Sequence, residues 1–256
     1  MMDPEKRRRK IVEIVTNNGG LTVAEIADQI EFSKSTVRRD LNHLDERELI
    51  ERTHGGAIPA TNAGSEPSFD ERAVQGLEQK RAIGIRAAEE ITEGQVVFFD
   101  SGSTTFQIAK AAPKDGSFLA VTNSPLLAME LTKGDGNVKM TGGSLRANSM
   151  GLVGPAMENY IKSSNIDIAF IGTNGLDEDG SISVPIEIEA SLKTTVVENS
   201  AHPFIVTESE KFGVKNFREF ATLDDIDAIV TDQQVSATYR ELFEETDTEC
   251  LIADAD

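Results

Sequence analysis

A single cysteine, Cys250, leaves no partner for an internal disulfide and points to a reducing cytoplasm. No apolar stretch approaches the roughly 18 residues that a membrane helix needs, so a bilayer span is not expected. The N-terminus is charged where a signal peptide would be apolar, and no such leader is expected. His43, His54 and His202 are scattered, and no cluster has metal-ligand spacing. Neither a metal nor a cofactor is therefore expected.

Positive charge is scarce as well. The chain has 25 Lys and Arg against 44 Asp and Glu, a formal charge of −19. Residues 1–58 hold 10 basic and 11 acidic residues, so nearly all the excess acid lies beyond them. Such a chain repels itself and DNA at ordinary salt. At molar salt the Debye length is only about 3 Å and the repulsion fades. The composition points to a halophilic protein. What is present is enough for packed cores: 256 residues, 39 % of them apolar, room for one large domain or two smaller ones.

The first 58 residues are expected to form a winged helix-turn-helix. Asp3 and Pro4 make a helix start, and "NNGG" at 17–20 stops that helix. Thr22 and Glu25 fit a capping box ahead of Val23, Ile26, Ala27 and Ile30. Ser33 caps a third helix whose apolar positions, Val37, Leu41 and Leu44, are spaced four and three. If those pack inward, Lys34, Ser35, Arg38, Arg39 and Asn42 point outward, with Thr36 beside them. A short helix, a tight turn and a second helix with a basic outer face is the arrangement that enters the major groove. Arginine can pair both acceptors of a guanine edge; Ser, Thr and Lys reach bases or phosphates. "LIERTHGGAI", residues 49–58, reads as two strands around a Gly-Gly turn, a wing that would carry Arg52 and His54 to backbone phosphates.

"STVRRDLNHL" (35–44) followed by "RTHGGA" (52–57) resembles the N-terminal signature of the DeoR family of transcriptional regulators. The resemblance continues to about residue 232. It implies double-stranded operator DNA as a partner.

Residues 59–75 are expected to be a linker, rich at first in proline, glycine and small polar residues. Residues 76–256 are expected to form an α/β domain. Apolar runs at 95–100, 117–122, 137–141, 166–172, 203–207 and 226–231 alternate with helical patterns, which argues for a mostly parallel sheet covered by helices. Ligands of such sheets bind at the carboxyl ends of the strands. Polar turns fall there: "DSGSTT" (100–105), "TNSP" (122–125), "TGGSLR" (141–146) and "GTNG" (172–175). Glycine turns and helix N-termini present free N–H groups to anions, and hydroxyls such as those of Ser103, Thr104 and Thr105 add donors. Asp100 suits sugar hydroxyls or the loop's own N–H groups better than a phosphate. Arg146 and Lys211 could neutralise a phosphate. Lys193, four residues after Glu189, is either a surface ion pair or a ligand contact.

This half resembles the effector domain of the same family, which is similar in fold to ribose-5-phosphate isomerases. The resemblance implies a phosphorylated sugar or glycerol-derived metabolite as ligand. It implies Asp100, Ser101, Gly102, Ser103, Thr104, Thr122, Asn123, Ser124, Gly142, Gly143 and Lys211 as binding positions. One departure is "ESEK" at 208–211, where the family has Asp-Ser-Ser-Lys; Glu208 replaces the Asp with a longer reach. The expected function is a non-enzymatic, homo-oligomeric repressor of carbohydrate or glycerol catabolic genes. The alternative is a sugar-phosphate isomerase with a DNA-binding arm. Against it, "GTNG" lacks the isomerases' acidic cluster, and Asp177, Glu178 and Asp179 lie beyond it.

The charge distribution generates a salt prediction. Phosphate contacts alone weaken steeply as salt rises. Relief of self-repulsion should here preserve operator affinity, or raise it, from low to molar potassium. A titration with folding checked in parallel decides. A folded protein that loses DNA monotonically would remove the halophilic reading.

Overall fold

The computed structural model describes residues 4–18, 21–45, 49–52, 55–59, 67–233 and 235–254. The chain divides into two compact units, Met1–Pro67 and Ser68–Asp256.

The first unit comprises α1 (Pro4–Asn17), β1 (Leu21–Thr22), α2 (Val23–Ile30), α3 (Lys34–Asp45), β2 (Ile50–Arg52) and β3 (Gly56–Pro59). Helix α2 starts on the expected box: Glu25 N–H donates to Thr22 Oγ1 at 3.3 Å and Thr22 N–H to Glu25 Oε2 at 2.7 Å. Ser33 accepts from Thr36 N–H at 3.2 Å and so caps α3. Ile11, Val15, Val23, Ile26, Ile30, Val37, Leu41, Leu44 and Ile50 make one core. The three strands pair antiparallel in the order β1-β3-β2. Gly56 permits the β1–β3 approach, because a Cβ there would lie 2.0 Å from Leu21 O. Asp3, Thr53 and His54 lie outside the described residues.

Charge also ties the helices together. Asp40, on α3, is 1 % exposed. It accepts from Arg7 Nε at 2.6 Å and Arg8 Nε at 3.0 Å, both on α1. The Arg7 guanidinium also stands 4.7 Å from the centroid of the Phe32 ring. The basic tract at the start of the chain is therefore partly structural.

The second unit contains α4 (Phe69–Val74), α5 (Leu77–Ala88), β4 (Val96–Phe99), α6 (Ser103–Ala111), β5 (Leu119–Thr122), α7 (Pro125–Leu131), β6 (Asn137–Met140), β7 (Ser144–Arg146), β8 (Gly151–Val153), α8 (Pro155–Lys162), β9 (Ile166–Gly172), β10 (Gly175–Leu176), β11 (Ser181–Val184), α9 (Glu187–Glu198), β12 (Ser200–Val206), β13 (Arg218–Thr222), β14 (Ala228–Thr231), α10 (Ala237–Glu245) and β15 (Glu249–Ile252). Seven strands form a parallel sheet in the order β15-β14-β12-β9-β4-β5-β6. Alternate residues of each strand enter cores on opposite faces. Phe98, Ala169, Ile171 and Ile205 pack with Met157, Ile161, Val196 and Phe243. Val97, Phe99, Phe170 and Val206 pack with Ile83, Ile108 and Leu127. Burial on both faces is why these strands read as continuous apolar runs.

Three features differ from the sequence reading. Residues 69–74, assigned there to the linker, form α4 in the second unit. A capping box, Ser68 with Glu71, starts this helix, and Phe69 is buried with its ring 5.8 Å edge-on to Phe106. Gly76, at φ +55°, separates α4 from α5. Two antiparallel additions, β7-β8 and β10-β11-β13, and the edge strand β15 were not anticipated. No helix among the described residues is long and apolar enough to cross a membrane.

Removing Asp40 would leave two arginines without their carboxylate. Asp40→Ala should cost about 3–5 kcal/mol, the range for breaking a buried pair. Denaturant melts of the full chain against wild type check this.

Candidate functional site

Helix α3 turns Val37, Asp40, Leu41 and Leu44 into the core. Lys34, Ser35, Arg38, Arg39 and Asn42 are exposed and Thr36 is half-buried, as the helical spacing required. Ser35 Oγ and Thr36 Oγ1 each lie 2.9 Å from Ser33 Oγ, so both hydroxyls help to close the helix start. Arg52, expected to face phosphate, instead lays its guanidinium on the Asn42 side-chain oxygen, and its N–H donates to Asp45 Oδ1 at 2.9 Å. The wing strand is thereby braced on the exposed face of α3.

In the second unit the chain leaves β4 toward β5 and β6, then returns to β9 on the other side of β4. The β4/β9 gap is the switch point at which ligands bind in such sheets. Asp100 sits at it, 3 % exposed. It accepts from Gly172 N–H at 3.2 Å and pairs with Lys193, whose Nζ also donates to Gly172 O at 2.8 Å. Lys193 is 7 % exposed and stands 5.8 Å from the centroid of the Phe220 ring. The surface pair with Glu189 is not formed. Burial placed Lys193 on Asp100, and Glu189 pairs with Arg146 of β7.

The "DSGSTT" turn begins α6. Ser103 and Thr104 occupy its first positions, where backbone N–H groups lack helical partners. Thr105 serves the fold: its Oγ1 accepts from Gly102 N–H at 2.8 Å and lies 2.6 Å from Asp100 O. Thr122 is spent likewise, donating to Phe99 O at 2.7 Å and accepting from Ser124 N–H at 3.0 Å. Ser124 caps α7 and donates to Met150 O at 3.3 Å. Asn123 lies 3.4 Å from Ser101 Oγ and 3.3 Å from Leu152 O through Nδ2, while its buried Oδ1 has no partner. Gly142 and Gly143 are exposed at φ +74° and +118°, and Gly143 has no room for a Cβ against Val153 O.

Below the turn lies a second buried carboxylate. Glu208, 2 % exposed, is 3.1 Å from Lys80 Nζ. It accepts from Thr104 Oγ1 and from Lys211 Nζ, each at 3.2 Å. Lys211 also donates to Thr173 O at 3.2 Å. Burial pushes the Glu208 carboxyl up, but Lys211 and Lys80 outweigh it and hold it below its ordinary 4.5. Burial pushes Lys80 down, and Glu208 restores only part. Sequence reasoning missed Lys80. Its signal was its place on an apolar face, three and seven residues before Ile83 and Ala87.

A family model for the DeoR-like helix-turn-helix domain matches residues 7–62, and one for the DeoR C terminal sensor domain matches residues 75–233. The chain belongs to the DeoR family. It is a DNA-binding transcriptional regulator of two parts, a winged helix-turn-helix and a parallel α/β sensor domain. The HTH-type transcriptional regulator GlpR of Haloferax volcanii is 47 % identical over 243 residues, 95 % of each chain. The acidic, halophilic composition fits that relative. The glycerol-3-phosphate regulon repressor of Escherichia coli is 33 % identical over 232 residues, 90 % of this chain and 92 % of that one. The structure is similar to that of D-ribose-5-phosphate isomerase in complex with phospho-erythronic acid, with a TM-score of 0.39 at 13 % identity, over 53 % of this chain and 54 % of that one.

Because the folded Glu208 is more acidic than the unfolded one, its contribution is complete above its ordinary value and is lost as the pH falls below about 4.5. Glu208→Gln leaves the buried Lys80 ammonium without its carboxylate and should cost about 3–5 kcal/mol at neutral pH. The gap to wild type should close as the pH falls through that window. Thermal melts of both proteins from neutral to acid pH measure it.

Proposed function

We propose that this regulator represses genes of glycerol or sugar catabolism and leaves its operator when a phosphorylated sugar or glycerol-derived metabolite fills the sensor site. The observation that carries this reading is that Lys193, held by Asp100 and Gly172 O, and Lys211, held by Glu208 and Thr173 O, lie with the α6 N-terminus at the carboxyl ends of β4, β9 and β12, and Arg146, paired with Glu189, is proposed to join them. Cations, free N–H groups and the Thr104 hydroxyl together suit a phosphate ester. The unpartnered Asn123 Oδ1 and the paired Asp100 suit the hydroxyls of its carbon chain. The name of the Escherichia coli relative, a glycerol-3-phosphate regulon repressor, supports the glycerol branch.

Catalysis is no part of this proposal. Both carboxylates at the switch point, Asp100 and Glu208, are engaged by lysines and are poorly placed as a free general base. Asp177 and Asp179 are held by Lys215 at 3.0 and 2.8 Å on the turn between β10 and β11. The regulator acts in the cytoplasm as a homo-oligomer, presenting paired α3 helices to half-sites about one helical turn apart. The base-reading positions are Lys34, Ser35, Thr36, Arg38 and Arg39. Asn42 supports them through Arg52, and His54 belongs to the wing.

Operator affinity measured with and without glycerol 3-phosphate and a panel of sugar phosphates tests the proposal. The effector should weaken operator binding about 5- to 150-fold, the span of typical coupling energies. Thr104→Val and Arg146→Ala should blunt that response. Linkage requires saturating operator to weaken effector binding by the same factor. The reading fails if no phosphorylated metabolite changes operator affinity, or if both variants respond as wild type does.

A further inference from the structure

Lys80 has a second set of partners that the sensor site does not explain. Its Nζ donates to Arg72 O at 2.6 Å and Gln75 O at 2.7 Å. These carbonyls belong to the last turn of α4 and to the residue that ends it. Carbonyls at a helix C-terminus lack helical donors and carry the negative end of its dipole. Lys80 is therefore a cationic cap for α4, supplied by the following helix. Its third partner is Glu208, which also accepts the Thr104 hydroxyl. One buried ammonium thus joins the α6 turn to α4, and α4 is the first element after the segment that leads to the DNA-binding unit. The other end of α4 is tied to the same region, because Phe69 N–H donates to Asn148 O at 2.8 Å, between β7 and β8.

We propose that Lys80 transmits occupancy of the sensor site to α4 by exchanging the carbonyls of Arg72 and Gln75 for Glu208. The proposal rests on the phosphate reading given above. An anion at the α6 N-terminus competes with Glu208 for the Thr104 hydroxyl and for Lys211, the two donors that Glu208 shares with the site. Glu208 then has Lys80 as its remaining cation. A buried carboxylate cannot stay charged without a close partner, so Glu208 draws the Lys80 ammonium toward itself. The α4 carbonyls lose their cap. Six residues of helix cannot hold themselves in water without such support, and α4, the element on which the linker ends, loosens from its C-terminal end. Lys80 is a positioning residue: it is 3 % exposed and acts on α4 through Glu208 without touching the ligand.

The test uses the full chain, with glycerol 3-phosphate and fructose 1-phosphate as probes. Hydrogen exchange of the α4 amides in the wild-type protein is measured with and without each probe, with α10 as the internal control. The probe that releases the operator should speed α4 exchange by a factor comparable to the release itself, about 5- to 150-fold, and leave α10 unchanged. Lys80→Met should still take up that probe by calorimetry, while its ratio of operator affinities without and with probe collapses to about one. Where Lys80→Met fails to fold, the wild-type exchange decides alone. If the probe releases the operator with α4 exchange unaltered, or if folded Lys80→Met releases as wild type does, the relay is overturned and the phosphate reading stands. If neither probe binds or moves operator affinity, the phosphate reading falls and the relay with it.

Discussion

Glu208 keeps its charge inside the protein because Lys80 and Lys211 lie 3.1 and 3.2 Å away. Most of the sensor architecture follows from having to neutralise that carboxylate and its neighbour Asp100. Taking an ion out of water costs several kcal/mol even after relaxation, and the cost is recovered only where partner geometry is good. The partners come from elements far apart in sequence. Lys80 lies on α5, Lys193 on α9, and Lys211 follows β12. Each pair therefore fixes the position of a helix or turn relative to the sheet, which apolar contact alone specifies less sharply. The same rule holds in the DNA-binding unit, where Asp40 sets the angle between α1 and α3 through Arg7 and Arg8.

Pairs of this kind answer differently to salt than the surface does. The exposed acids interact across solvent, where a few ångströms of screening cancel them. The buried pairs sit below the reach of bulk ions, so molar salt relaxes the outside of the molecule and leaves its internal electrostatics in place. A chain with a formal charge of −19 can thus keep lysine–carboxylate pairs in its interior. Lys80 and Lys193 are withdrawn from the surface on which they would otherwise be outvoted.

Local rules made much of this legible in the sequence. Capping boxes, the four-and-three spacing of Val37, Leu41 and Leu44, and the alternation of apolar runs with helical patterns depend on neighbours a few residues away. What stayed hidden depends on partners far along the chain. Lys193 is one turn from Glu189, and nothing in that spacing says that Asp100, 93 residues earlier, takes it instead. Thr105 and Thr122 belong to donor-rich turns, yet their hydroxyls serve the backbone; composition does not tell which way a hydroxyl faces. The strands of β7, β10 and β11 are two to four residues long, too short for a period to register. Asp40 was masked by its charge, which suggested solvent where the helix geometry placed it in the core.

The sheet ends at β6, whose outer backbone edge has no strand beside it among the described residues, and Asn137, Lys139 and Met140 on it are exposed. An open edge is a template on which another chain can add a strand, and natural proteins guard such edges with charge, lysine above all. The net charge of this molecule is no guard in concentrated salt, because two copies approach there without feeling it. Protection against edge-to-edge aggregation must then be local. Lys139 would have to lose its hydration before a strand could pair across it, which gives one of the few surface lysines a duty that no acidic residue elsewhere on the surface can take over.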